Sequence, residues 1–309
     1  MKKICFNPIF LLLFGIIQPL YLLAQSTKYA AEEGVIVGKN IGLYNNRPLY
    51  INNTNAFILT GDQPVARLVK GEYLFGTFML AIERKGTIKW LQHCEQITSM
   101  YHTGKMAWNI TDQSFPGLKV NLEILPIAST TGMAVKANVQ GVQQGDQLIW
   151  VFGGAQWRKK QNLSWKLDIM GQPELLSWGY TPNDAKSNQV SIKKKSGYIS
   201  LIDSSENKKL FTVACGSDSG SEPGIGEASL WDTPLLFKQA QSGKFPVLKG
   251  VHLLQESQTM YWAIEVFPGD GNPDLFNTNT IKDKFSTGLQ RVRSFQNRLK
   301  INTPDAYLN

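Results

Sequence analysis

The sequence predicts an all-β fold, a two-layer antiparallel β-sandwich closed by a C-terminal amphipathic helix. Three observations carry this. Apolar and polar residues alternate with period two through most of the chain. Gly, Pro, Asn and Asp punctuate it at short intervals. About a dozen strand-like runs precede the first helical period, a rhythm that suits a sandwich or barrel and argues against alternating strands and helices.

At the amino terminus, Lys2 and Lys3 precede an apolar run from Ile9 to Leu23 that exits on Ala24-Gln25. Charge, apolar core and small-residue exit together predict a secretory signal over residues 1–24. Pro19 interrupts the run and no basic flank follows it, so no membrane span is expected after cleavage. The sequence therefore predicts an exported protein, periplasmic, cell-surface or secreted. At 309 residues, 42% hydrophobic and 18% charged, the chain can bury a sizeable core and is not a disordered composition. Its formal net charge of +8 includes Lys2 and Lys3, and the remaining basic residues are scattered. Export argues against a nucleic-acid partner. The one tight run, Lys193-Lys194-Lys195, reads as a solvated hairpin tip.

From residue 25 to 275 the pattern is that of strands. Leu118, Val120, Leu122 and Ile124 face one way while Lys119, Asn121 and Glu123 face the other. KMAWNIT repeats this with Met106, Trp108 and Ile110, and GMAVKANVQG with Met133, Val135 and Val139. LIWVFGG and MYWAIEVF are apolar on both sides and predict central strands covered on two faces. GEYLFGTFMLAI, TIKWLQ, GYISLID, KLFTVAC and LLFKQ are further strand candidates. Pro116-Gly117, Gly141, Gly145-Asp146 and Pro268-Gly269-Asp270-Gly271 supply turns. Lys159 to Ser187 is a long irregular insertion, and Gly216 to Glu227 reads as a flexible connection. Residues 276–309 form the last unit, in which Phe285, Leu289, Val292, Phe295 and Leu299 fall on one helical stripe. Asn302-Thr303-Pro304 ends that helix.

The sequence points to little intrinsic chemistry. The three histidines, His93, His102 and His252, have no metal-ligand spacing, and neither a nucleophile elbow nor a phosphate-cradling loop is present. No metal, cofactor or catalytic residue is assigned. Cys94 and Cys215 are expected as buried free thiols, with one disulfide as the alternative. The strongest binding feature is Gln156-Trp157-Arg158 with Trp165 close behind. An indole stacks on a sugar face, and a guanidinium donates to hydroxyls or carboxylates, so Trp157, Arg158 and Trp165 are candidate carbohydrate-binding residues.

Several segments in order resemble one family. They are Asn46-Arg47-Pro48-Leu49-Tyr50, Thr60-Gly61-Asp62-Gln63-Pro64, Tyr101-His102-Thr103-Gly104-Lys105-Met106, Trp150-Val151-Phe152-Gly153-Gly154-Ala155 and Thr303-Pro304-Asp305-Ala306-Tyr307-Leu308-Asn309. The chain resembles the domain of unknown function family 4450, exported proteins of Gram-negative polysaccharide degraders. The resemblance implies a supersandwich-like amino-terminal domain, then a linker helix, then an (α/α) six-hairpin toroid like those of glycosidases. The Thr303 to Asn309 stretch stands where that toroid would begin. In one respect the chain departs from the family, since bulky Gln156-Trp157 follows Gly153-Gly154-Ala155.

Three functions follow as expectations. The first is a non-catalytic accessory sandwich of a glycoside hydrolase-like protein. Its partner would be a six-hairpin catalytic domain in cis or in trans, met through Phe285, Leu289, Val292, Phe295, Leu299, Tyr307 and Leu308. The second is a free-standing module for a polysaccharide or oligosaccharide. The third is a sugar-active enzyme such as an epimerase or lyase, which would need at least two of His102, His252 and Glu265 in one cleft.

Overall fold

The computed structural model describes residues 29–32, 34–43, 47–51, 55–71, 73–157, 182–203 and 205–296. In chain order its strands begin with β1 (Tyr29–Glu32), β2 (Val35–Lys39), β3 (Leu49–Tyr50), β4 (Ala56–Leu59), β5 (Ala66–Lys70), β6 (Tyr73–Arg84) and β7 (Thr87–Trp90). Next come β8 (Gln96–His102), β9 (Lys105–Thr111), β10 (Lys119–Pro126), β11 (Gly132–Gln140), β12 (Gln147–Gly153) and β13 (Gln156–Trp157). The rest are β14 (Asn188–Lys193), β15 (Ser196–Asp203), β16 (Lys208–Ser217), β17 (Gly224–Glu227), β18 (Pro246–Leu253) and β19 (Gln258–Pro268). Two helices, α1 (Pro234–Gln239) and α2 (Ile281–Gln296), complete the set.

The strands form two antiparallel sheets, as the alternation requires. One sheet runs β1-β2-β8-β9-β10-β11-β19-β16-β15-β14, and the other runs β17-β18-β12-β6-β5-β4-β3 with β7 and β13 also paired to β6. Val120, Leu122 and Ile124 point into the space between the sheets, alongside the fully buried rings of Trp108, Trp150, Trp262, Phe78 and Phe152. Among the described residues, Trp90, Trp108, Trp150 and Trp262 are fully buried, and Trp157 and Trp231 half-buried. Burying such aromatic area is the main stabilising term of the sandwich.

Both outer faces are partly covered. Met79, Ala81, Ile149 and Val151 on the second sheet pack under Phe237 of α1. On the first sheet, Leu125, Ala134, Ala214 and Ala263 make a low floor for Ile281 and Phe285 of α2. The small floor residues let the helix approach closely. At Gly288 a Cβ would lie 2.4 Å from Leu125 Cδ1 and 2.8 Å from the Pro126 carbonyl, so only glycine fits there. Lys284 pairs with Glu265, and Arg291 donates to the Ala128 carbonyl at 2.5 Å.

Three sequence expectations need correction. LLFKQ is not a strand but the helix α1. Pro234 starts it, where a missing N–H costs nothing. Lys249 Nζ donates to the Phe237, Lys238 and Ala240 carbonyls at its end, and burial pushes that ammonium's pKa down. Gly216 to Glu227 is not merely a connection, since it contains β17 and a hydroxyl chain through Ser217, Ser219 and Ser221 to Trp150 Nε1. Five strands, β1 to β5, precede the first one expected. β1, β3 and β4 span only two to four residues each, too short for a period of two to show.

Candidate functional site

β6 runs the length of the sandwich and presents different faces at its two ends. Between its pairings Leu68↔Gly76 and Val69↔Leu74 lies a bulge, with Phe75 as the extra residue. Gly76 adopts φ +139°, and a Cβ there would meet the Phe152 ring at 2.6 Å. The bulge shifts the alternation, so Tyr73 and Phe75 face the same interlayer space as Phe78, Leu80 and Ile82 beyond it.

Around that end four rings gather. Tyr73 and Phe75 lie parallel at 6.2 Å, and Phe211, from the other sheet, meets them edge-on at 5.7 and 4.8 Å. Trp157 pairs with Tyr73 across β13 and β6 and stacks on its ring at 6.4 Å. Tyr73, Phe75 and Phe211 border a cleft of about 440 Å³, whose rim adds Asn55, Lys70 and Thr131. A smaller hollow of about 210 Å³ lies beside it, bounded by Trp157, Asn183, Asp184 and Asp203. Chemically the larger cleft is an apolar floor with a few polar groups at its margin, an arrangement suited to holding a ligand.

Of the three residues proposed to bind carbohydrate, Trp157 is half-buried and lines the smaller hollow beside the cleft, stacked on Tyr73. Arg158 and Trp165 lie outside the described residues. The stripe assigned to a neighbouring domain is instead covered largely by the chain itself. Phe285 and Val292 are 3% and 8% exposed, and Leu289 packs half-buried in the same cluster. A single helix laid on a sheet buries its apolar face there, which removes that face from any partner. Phe295 is 41% exposed and belongs to a different surface. Leu299, Tyr307 and Leu308 lie outside the described residues.

That surface is a groove of about 370 Å³ at the C-terminal end of α2. Tyr50, Tyr101, Thr103, Arg291, Val292 and Phe295 line it. Two of the segments singled out in the sequence, around Pro48-Leu49-Tyr50 and Tyr101 to Gly104, thus meet beside the helix. The other two described segments are internal joints. Asp62 accepts from Tyr29 Oη at 2.6 Å and Ser99 Oγ at 2.7 Å, while Trp108 Nε1 donates to the Gly61 and Asp62 carbonyls. Asn188 clamps Ala155, accepting from its N–H at 3.0 Å and donating to its carbonyl at 2.5 Å.

The three residues of the enzyme expectation are dispersed. His102 ends β8, and burial pushes its imidazole pKa down, as does nearby Lys105. His252 lies on β18 of the other sheet and contacts Gln258 Nε2 at 2.7 Å. Glu265 is held by Lys284 and by Thr130 Oγ1, as an anchor for α2. Cys94 and Cys215 are free and buried. Burial pushes the Cys94 thiol up to about 12 and the Cys215 thiol higher still, so neither is a nucleophile at neutral pH. Among the described residues no three His, Cys, Asp or Glu side chains gather as a metal site, and no helix is long and apolar enough to cross a membrane.

Comparison with protein-family models matches residues 73–278 to the domain of unknown function DUF4450. The chain belongs to the DUF4450 family. The matched region runs from β6 through β19 and includes the Tyr101 and Trp150 segments. No curated protein matches the chain significantly. Among solved structures, a bacterial glucoamylase complexed with acarbose superposes with a TM-score of 0.56 at 9% identity, over 80% of this chain and 36% of that one. At that identity the likeness is one of fold, and the DUF4450 chain spans about a third of the larger structure's length. A polysaccharide lyase aligns over 76% of this chain and 34% of its own at 10% identity, but its TM-score of 0.28 is too low to carry an argument.

Proposed function

We propose that this DUF4450 chain is a non-catalytic β-sandwich that serves as an accessory domain of an exported, glycoside hydrolase-like protein in polysaccharide degradation. The supporting observation is the shared sandwich: most of this chain overlays about a third of a bacterial glucoamylase. Three of the buried carboxylates favour the same reading, because they are spent on architecture. Asp146 closes two turns with Arg84, Glu265 holds α2, and Glu227 accepts from the Ser229 and Phe245 backbone. The six-hairpin domain implied by the family resemblance, in cis or in trans, would rest on the groove formed by Tyr50, Tyr101 and Phe295. α2 leads the chain directly to that groove, which favours it over the covered stripe of the helix.

The test is turnover. Purified chain incubated with neutral and acidic polysaccharides should release no reducing ends and no unsaturated sugars above a boiled control. Sustained release that a Glu265→Gln or His252→Ala variant abolishes would overturn the accessory reading in favour of an enzyme.

A further inference from the structure

The outer face of the ten-stranded sheet carries an ordered row of side chains beside α2. Thr98 on β8 pairs with Asn109 on β9, Asn109 with Asn121 on β10, Asn121 with Asn138 on β11, and Asn138 with Thr259 on β19. Five adjacent strands thus present an amide or hydroxyl at one register, all half-buried or exposed. With strands about 4.8 Å apart, the row is about 19 Å long. Its members are not all consumed by one another. Asn138 Nδ2 donates to Thr259 Oγ1 at 2.9 Å, and Gln140 Nε2 donates to Asn138 Oδ1 at 3.3 Å. The Asn121 amide has no side-chain partner among the described residues.

Between this row and α2 lies a second one, in which Glu123 accepts from Lys105 at 2.7 Å and Lys136 at 2.8 Å. Both lysines are thereby engaged by one carboxylate. The next residue of that row, Tyr261, stands edge-on to Phe285 of the helix at 5.4 Å. The result is a flat, polar floor with a helical wall along one side. An alternating strand pattern gives a solvent face its polarity but not this uniformity, since charged residues would serve solvation equally well.

We infer that this amide row is a binding platform for an uncharged polysaccharide chain laid across the strands, along the wall of α2. The inference rests on the carbohydrate reading proposed above. Asn138 is held by Thr259, Gln140 and the Ser257 and Gln258 carbonyls, and Asn109 Nδ2 makes only a long contact of 3.9 Å with Met100 Sδ, so the amides of Asn109 and Asn121 carry the donors and acceptors that complement a polymer bearing hydroxyls at regular intervals. These five side chains are uncharged, and the row meets a charge only at its edge, where Lys39 on β2 is the register partner of Thr98. The absence of apolar side chains from it disfavours a protein partner, whose interface core would be aromatic and aliphatic.

The experiment is affinity electrophoresis and calorimetry of the full chain with soluble starch, arabinoxylan, galactomannan and mixed-linkage β-glucan, with polygalacturonate as the anionic arm. At least one neutral polymer should bind and polygalacturonate should not. Asn109→Ala and Asn121→Ala should each weaken binding about fivefold, and the double variant about 25-fold, as expected for one and two lost hydrogen bonds. Asn121→Asp, which keeps the side-chain shape, should weaken it similarly with an unchanged unfolding midpoint. Unaltered binding by the double variant, preference for polygalacturonate, or no neutral polymer bound by the wild type would each overturn the platform. None of these would restore catalysis, so the accessory reading fails only on the turnover assay.

Discussion

At the Arg84 end of β6 a buried ion pair ties the turns of both sheets together, whereas at the Tyr73 end aromatic rings surround a cleft. The ends are separated by on the order of 35–40 Å of one strand. Arg84 and Asp146 are 4% and 1% exposed, and the guanidinium also donates to the Pro116 and Gly141 carbonyls at 2.8 and 2.9 Å. Asp146 further accepts from the Gln143 N–H at 2.8 Å. Burial pushes the Asp146 carboxyl up, but these hydrogen bonds outweigh it and hold it below the usual carboxylate range. The charged groups of the pair are matched inside the protein, so this end is closed by its own polar contacts. At the other end the floor is apolar and the polar groups, Asn55 and Lys70, are exposed at the rim. One end spends its polar chemistry on closure, and the other leaves it available.

Removing one charge should show the contrast most sharply. Asp146→Ala leaves the Arg84 guanidinium buried without its partner and should cost about 3–5 kcal/mol, measured by urea unfolding. The paired replacement Arg84→Met with Asp146→Leu should recover most of that loss, because an apolar pair needs no partner. Recovery would assign the cost to an orphaned charge rather than to lost attraction.

Acid should weaken the paired carboxylates next, at that end and on the outer face of the ten-stranded sheet. Asp112, Glu123 and Asp146 all titrate lower in the folded chain than in the unfolded one, burial being outweighed by hydrogen bonds from Lys89, from Lys105 and Lys136, and from Arg84. Their stabilising contribution is complete above the unfolded carboxyl pKa of about 4 and is lost as pH falls through the lower folded values. Thermal unfolding midpoints should therefore be flat from about pH 6 to 5 and drop below about pH 4. A drop confined to higher pH would place the sensitivity elsewhere.

Smaller effects follow at the helix and the cleft. Val292→Ala removes two methyl groups from the contact of α2 with Gly104 and should cost about 1.5 kcal/mol. Hydrogen exchange should speed in α2 before the sheets if the helix is a separately opening layer. Trp157→Ala, at a half-buried rim, should cost about 1 kcal/mol, well below the Asp146 variant. A loss as large as that of Asp146→Ala would mean that the cleft end is as sealed as its opposite.

Much of the sandwich was legible in single strands. The period of two over Leu118 to Ile124 named the inward residues, and MYWAIEVF announced a strand covered on both faces. Gly76 inside YLFGTF was a readable sign of a bulge, though not of which rings it would turn inward. LLFKQ misled because its five residues suit a strand as well as a helical turn, and only Lys249 and the sheet beneath Phe237 favour the helix. The α2 stripe was correctly placed on one face of a helix, but its partner was not legible. A stripe of Phe285 and Val292 reads the same whether it meets another domain or its own sheet.

By itself the sequence determined that this protein is built from paired strands with a closing amphipathic helix, because side-chain periodicity is a local property of the backbone. Tertiary structure alone decided which residues share a surface. Register set five uncharged side chains in one row, and a bulge brought Tyr73 and Phe75 to face Phe211 of the other sheet. Those juxtapositions join residues up to 161 positions apart, as Thr98 and Thr259 are, and no local pattern encodes a distance of that kind.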